Sequence, residues 1–307
     1  MSDVLVSVDC ITYNHASYIR DALEGILSQN TDFAFEILVH DDCSTDGTQD
    51  IIREYEEKYP DIVKPIYQTE NQYSRDLKFY ARYQFPRAQG KYFASCEGDD
   101  YWTDPDKLRA QVDYMETHPD CSFCIHGAEF VRPDGDLLRY THFADSDRDF
   151  DLTYFMRNRE EFMTATLMIP TRLLTNLPTG YYRALTGDTP IALYALSQGY
   201  GHYINRIMSC YRVAAPGSWS ANTAKLPHVN FAAYKANLAQ LYAAADDFTG
   251  YKHHDEMVKH VNEQLRRTVK RAALGFENLS PVRRIQLALM ICFPGIYKKI
   301  KGDNIID

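Results

Sequence analysis

The chain has 307 residues, 45% of them hydrophobic, with a formal net charge of −9. That length and apolar content suffice to bury a sizeable core and exclude a wholly disordered chain. The charge is uneven: residues 252–301 hold eleven Lys or Arg against four Asp or Glu, so an acidic body, which argues against nucleic-acid binding, carries a basic tail.

The amino-terminal stretch MSDVLVSVDCITYN places Asp3 and Asp9 where a secretory leader needs a basic region and an unbroken apolar one. No stretch reaches the roughly 18 apolar residues of a spanning helix, and the expectation is a cytoplasmic protein. The seven cysteines are odd in number and scattered, a pattern of reduced thiols; Cys121 and Cys124 form a CxxC pair inside a strand-like run with no second pair at zinc spacing. In chain order, VLVSVDCI (4–11) reads as a strand, and Tyr18, Ala22 and Ile26 with Ile19, Leu23 and Leu27 then recur at helical spacing. FEILVH and the segment from Asp46 to Tyr59 repeat that order, with Ile51, Ile52 and Tyr55 in helical phase. A third unit follows: GKYFASC as strand, then a helix capped by Asp104, with Pro105 in its first turn and Leu108, Val112 and Met115 on one face.

Such alternation predicts an α/β fold whose parallel sheet binds ligands beyond the carboxyl ends of its strands. Two strands about a Pro-Asp-Gly turn (122–143) make the sheet mixed. Residues 143–161, charged and poor in aliphatics, read as a surface loop; FMTATLMI, DTPIALYALSQGY and HYINRIMSCYRV read as strand, helix and strand. The chain then turns helical and basic, dividing it into residues 1–225 and a carboxy-terminal helical segment, 226–307.

Three acidic clusters share one end of the predicted sheet: Asp9 within the first strand, Asp41 and Asp42 after the second, and Glu97, Asp99 and Asp100 after the third. Crowded carboxylates repel at a few ångströms unless water or a cation screens them, so EGDD reads as a meeting place for a hard divalent cation and an anion. Any single acid there also suits a solvated loop or a helix cap. Mg²⁺ takes one or two carboxylates together with substrate phosphates, which makes a phosphoanhydride the inferred substrate. Neither GxxxxGK[ST] nor GxGxxG is present, against kinases, ATPases and dinucleotide oxidoreductases.

The segments VSVDCITYNHASYIRDALEGILSQ, EILVHDDCSTDGT and GKYFASCEGDDYWTDPDKLRAQVDYM resemble the successive signature blocks of family 2 inverting glycosyltransferases, particularly bacterial enzymes of capsule, lipopolysaccharide and other surface-glycan assembly. The resemblance covers roughly residues 4–215. It implies the GT-A fold, a Rossmann-like, mostly parallel mixed sheet with helices on both faces. It implies a nucleotide-sugar donor, with UDP the expected carrier, a glycan or lipid-linked acceptor, and Mn²⁺ or Mg²⁺ as cofactor. Ile11 and Tyr13 would line the nucleoside pocket, Asp42 would bond the base, Asp99 would lie near ribose and metal, and Asp100 or Asp99 would coordinate the cation. Glu97 stands where the family has Asp, and Arg82 and Arg87 precede the motif where relatives place a basic residue towards the diphosphate. Asp188, after Gly187 at a helix start, matches the catalytic base, a position that an N-cap would also explain. Val213 and Ala214 stand where relatives carry histidine, and Trp102 and Trp219 are either sugar platforms or core. A nucleotidyltransferase acting on sugar phosphates, which should show a Gly- and Lys-rich phosphate loop, and a non-catalytic nucleotide-sugar or glycan-binding relative are the competing readings. SPVRRIQLALMICFPGIYKKIKG flanks a short apolar stretch with five basic residues, which fits lying on an anionic membrane surface or packing on the protein.

Overall fold

The computed structural model describes residues 4–76, 78–184, 187–215, 231–255, 257–259 and 262–263. Its first half follows the predicted alternation. Strand β1 (Val4–Thr12) leads to α1 (Ile19–Leu27), β2 (Ala34–Asp41) to α2 (Thr48–Lys58), and β3 (Val63–Tyr67) to a short α3 (Phe79–Tyr83). Then come β4 (Tyr92–Ser95), β5 (Tyr101–Trp102) and α4 (Lys107–Thr117). The centres of β1 and β2 are buried along consecutive residues, as a strand covered on both faces must be. In α1, Ile19, Ala22, Leu23 and Ile26 are fully buried, the i, i+3, i+4, i+7 stripe that fixes which side meets the sheet.

The second half adds β6 (Cys121–Val131), β7 (Leu137–Tyr140), β8 (Arg148–Phe150), α5 (Leu152–Asn158), β9 (Met168–Pro170), α6 (Thr179–Arg183), α7 (Asp188–Ser197) and β10 (Tyr200–Arg212). The sheet runs β3-β2-β1-β4-β9-β6-β10-β5, with β7 on β6 and β8 on β10. Pairings β1/β2, β1/β4, β2/β3 and β6/β10 are parallel, while β9 lies antiparallel between β4 and β6. This is the mostly parallel mixed sheet expected. Side-chain alternation splits its core in two. Tyr92, Ala94 and Cys124 pack with α1, α2 and α4, and Phe93, Phe123 and Ile125 pack with α5, α7 and the long helix α8 (Phe231–Thr249).

Three details differ from the sequence reading. Residues 143–161 are a structured cover: Phe143, Phe150, Leu152, Phe155 and Met156 are buried, so aromatic rings do the work for which aliphatic residues are absent. Strand β3 carries Pro65, which cannot donate to a ladder and fits here because β3 is an edge. Helix α4 starts two residues later than expected: Asp104 accepts the Asp106 N–H at 2.9 Å and pairs with Arg206. The division near residue 225, the segment 280–307 and Trp219 lie outside the described residues. The described part of the carboxy-terminal segment packs on the rest, Leu241, Tyr242 and Ala245 being buried in the core shared with α7. Among the described residues no helix is long and apolar enough to cross a membrane.

Candidate active site

The parallel register brings the acidic clusters to one edge. Thr12 pairs with Asp41, and Asp41 with Tyr67, so β1, β2 and β3 end level. The loops that follow are stitched to each other. The Asn14 N–H donates to Ser44 Oγ at 2.8 Å, the Thr45 N–H to Asn14 Oδ1 at 2.8 Å, and the His15 N–H to Thr48 Oγ1 at 2.9 Å. Asp46 takes the N–H of Ala16 and of Thr48. Ser44, Asp46 and Thr48 of the DCSTDGT block are therefore spent on holding the loop after β1, beside exposed Tyr13 and half-buried Ile11.

Asp42 is buried, and its carboxylate accepts the N–H groups of Gln72 at 2.6 Å and Tyr73 at 3.0 Å. Burial works against its ionisation, but His40 and those amides outweigh burial and hold it below the ordinary carboxylate value. Asp42 thus anchors segment 68–78 over the strand ends.

The Glu97–Asp100 turn extends the ladder on β1 past β4: Cys96 N–H donates to Asp9 O, and Gly98 N–H to Ile11 O at 2.9 Å. A Cβ on Gly98 would lie 2.6 Å from Thr12 Oγ1, so only glycine lets the acidic turn sit this close to β1. Arg212, at the end of β10, clamps the turn. Its N–H donates to Asp100 Oδ1 at 2.9 Å, its guanidinium donates to the Asp99 carbonyl at 2.8 Å and pairs with Asp21, and it stacks between Tyr18 and Tyr101. Asp100 Oδ2 is buried without a hydrogen-bond partner among the described residues, and Asp99 Oδ2 lies 4.0 Å from His15 Nε2. Burial together with Asp99 and Glu97 pushes the Asp100 carboxyl up; burial, then Asp99, Asp188 and Asp9, pushes Glu97 up to about 8. The donor chemistry of this cluster, with its orphaned Asp100 oxygen, fits a divalent cation. Among the described residues no set of three or more His, Cys, Asp or Glu is arranged as a metal site. An ion held by one or two carboxylates plus phosphate and water needs no such set.

Asp188 is the first residue of α7. A Cβ on Gly187 would lie 1.5 Å from Tyr80 Oη, so the helix can begin here only after a glycine. Asp188 Oδ1 accepts the Thr189 N–H at 2.6 Å, while Oδ2 accepts nothing among the described residues. Its charge reaches Glu97, so it stands near the acidic turn. It also reaches Lys78, a buried lysine whose ammonium lies 4.4 Å from the Tyr181 ring centroid; burial lowers Lys78 to about 8, against the opposing pull of Asp188 and Asp76. Lys78, Arg212 and His15 carry no mark in the sequence that separates them from ordinary surface or core residues.

Two basic residues named from the sequence lie elsewhere. Arg82 pairs with Asp76 at 3.0 Å, and Arg87 donates to Gln84 Oε1 at 2.9 Å and to the Lys64 carbonyl. Trp102 is core: it is 3% exposed, donates to Ala165 O at 3.0 Å and carries the buried Lys107 ammonium 3.8 Å from its ring centroid. Gln84, held by Arg87, donates to Asp9 Oδ1 at 2.6 Å. Burial, the largest influence, raises Asp9 from 3.8 to about 6. Its stabilising contribution is therefore complete below pH 3.8 and lost as pH rises through about 6. Asp9→Asn keeps an acceptor for Gln84 and offers a donor to Ser95 Oγ. The variant should melt at higher temperature than the parent at pH 7.5, with the gain gone at pH 4; equal shifts at both pH values would contradict this account.

The sequence matches the profile of Glycosyl transferase family 2 over residues 7–176. It is 36% identical over 143 residues to the putative teichuronic acid biosynthesis glycosyltransferase TuaG of Bacillus subtilis (strain 168), covering 46% of this chain and 54% of that protein. The chain spans about half the length of the curated relatives it matches, from 33% to 61% in those at the extremes. The crystal structure of S. aureus TarS 1-349 in complex with UDP-GlcNAc is similar with a TM-score of 0.61 at 16% identity, covering 93% of this chain and 87% of that one. Mannosyltransferase PcManGT from Pyrobaculum calidifontis, solved with GDP-Man and Mn²⁺, is similar at 0.54 and 18%, covering 97% and 85%. These two likenesses show a shared fold.

Proposed function

The chain belongs to glycosyl transferase family 2, and from that premise we propose that it moves a sugar from a UDP-sugar to a glycan or lipid-linked acceptor in cell-surface polysaccharide synthesis, with inversion at the anomeric carbon. The observation that carries this reading is the pairing of two features across one crevice: the buried, mutually repelling turn Glu97–Asp100, with an unpartnered Asp100 oxygen, and the Asp188 carboxylate at the start of α7. The putative place of TuaG in teichuronic acid biosynthesis supports the polysaccharide class, and the UDP-GlcNAc complex of TarS supports the carrier.

In this reading Tyr13 and Ile11 flank the nucleoside, and Asp42 offers a remaining lone pair to a base N–H. Asp99 and Asp100 would hold Mn²⁺ or Mg²⁺, which when bound neutralises the diphosphate and so eases its departure. Lys78 adds a cation in the same crevice. The Asp188 Oδ2 atom takes the acceptor hydroxyl's proton as that oxygen attacks C1, in a single displacement.

The test is incubation with Mn²⁺ and a panel of nucleotide sugars, with calorimetry of UDP, GDP and CMP. The expected result is slow release of nucleoside diphosphate from one UDP-sugar, with UDP the tightest of the three nucleotides. Pyrophosphate release would instead indicate a nucleotidyltransferase, binding without turnover a non-catalytic relative, and tighter GDP or CMP a different carrier.

A further inference from the structure

A second cleft, of about 1110 Å³, opens at the other end of the sheet. It lies where β10 begins: Tyr200 pairs with Cys121, whereas Arg212, at the acidic crevice, pairs with Val131. Ten residues of β6 separate the two ends, roughly 33 Å at the usual strand rise. The walls come from β8, α5 and the turn after α8, and three tyrosines, Tyr154, Tyr200 and Tyr251, stand among Arg148, Arg157 and Lys252.

Two features separate this cleft from an ordinary surface depression. Helix α8 is followed by Gly250 at φ 58°, a usual left-handed stop, but Tyr251 comes next at φ 64°, a conformation that strains a bulky residue. Tyr251 is held there by its N–H donating to Asp246 O at 2.9 Å, and 63% of it is exposed. A strained, exposed aromatic ring at a cleft points to contact with a ligand. The polar groups are also sorted. Asp149 accepts Tyr114 Oη–H and bonds His202 Nδ1, each at 2.6 Å, and Asp151 accepts the Tyr154 N–H. These bonds engage one oxygen of Asp149 and one of Asp151, whereas the side chains of Arg157, Lys252 and the third acid, Asp255, meet no partner among the described residues. The Arg148 guanidinium lies over the Tyr154 ring, 4.1 Å from its centroid.

We propose that this distal cleft binds an acidic oligosaccharide, a uronate- or phosphate-bearing stretch of the acceptor polymer. Tyrosine faces suit sugar rings, the remaining carboxylate oxygens suit hydroxyl donors, and the guanidinium and ammonium groups suit the acid. A concave wall is the wrong shape for a lipid surface. The choice of a saccharide rests on the glycan-building activity proposed above. A chain held 33 Å away along the sheet would be long enough that growth at the crevice leaves it anchored.

The test measures binding alone, so it can fail without touching the transferase reading, and donor hydrolysis can fail without touching it. The full chain is titrated into labelled galacturonic acid hexamer, neutral maltohexaose, and vesicles containing phosphatidylglycerol. The acidic hexamer should bind saturably, at least about tenfold tighter than the neutral one, and saturating UDP with Mn²⁺ should not displace it. Arg157→Ala should weaken it by about tenfold. Tyr251→Gly should do the same while melting no earlier than the parent, because glycine relieves the left-handed strain. Absence of saturable binding, displacement by UDP, full retention in both variants, or binding to the vesicles alone would each overturn the proposal.

Discussion

Asp188→Asn should lower sugar transfer by roughly 10²-fold or more while UDP affinity stays within about threefold of the parent. Asparagine keeps the oxygen that accepts the Thr189 N–H, so the first turn of α7 loses no hydrogen bond. What it loses is the proton acceptor at the second oxygen, the atom that no described residue occupies. The two measurements are transfer to an acceptor and calorimetric UDP binding in one protein. Near-normal transfer would reduce Asp188 to a helix cap. A variant in which binding and folding fell together is guarded against by Asp188→Glu, which keeps the acid and should recover part of the rate without altering UDP affinity.

Asp100→Asn should remove metal-stimulated transfer, by roughly 10²- to 10³-fold, and at the same time raise the melting temperature of the protein in chelator. The two effects have one cause. Burial and the neighbouring charges of Asp99 and Glu97 make an ionised Asp100 unfavourable without a cation, as the upward shift of its carboxyl shows. Asparagine keeps the acceptor for the Arg212 N–H and removes the charge, so repulsion falls and no hydrogen bond is lost. A divalent cation should stabilise the parent and not the variant. Full transfer by the variant in the presence of EDTA, or identical melting of both proteins with and without Mn²⁺, would refute this assignment.

Much of this arrangement is legible in the chain because it is local. The Val- and Ile-rich runs, the helical phase of Ile19 to Ile26 and of Leu108 to Met115, and the acids directly after each strand are short-range patterns, and parallel pairing carries those acids to one edge whatever the details. Gly98 and Gly187 mark where backbone and side chain approach too closely for a Cβ, but the atoms they meet, Thr12 and Tyr80, are distant in sequence. The loop read into residues 143–161 shows the limit of composition: Phe143, Phe150 and Phe155 bury against partners that periodicity over so short a span cannot reveal.

The sequence by itself therefore determined the α/β alternation and the edge of the sheet at which its acids gather. Tertiary structure alone decided which cations and amides meet them. Arg212 reaches Asp100 across 112 residues, Lys78 comes within reach of Asp188, and Asp42 is committed to the main chain of Gln72 and Tyr73. The reason is physical: secondary structure follows from side-chain spacing along one segment, whereas the electrostatics of a buried carboxylate depend on whichever charges and N–H groups the fold brings within a few ångströms, and that proximity has no local signature.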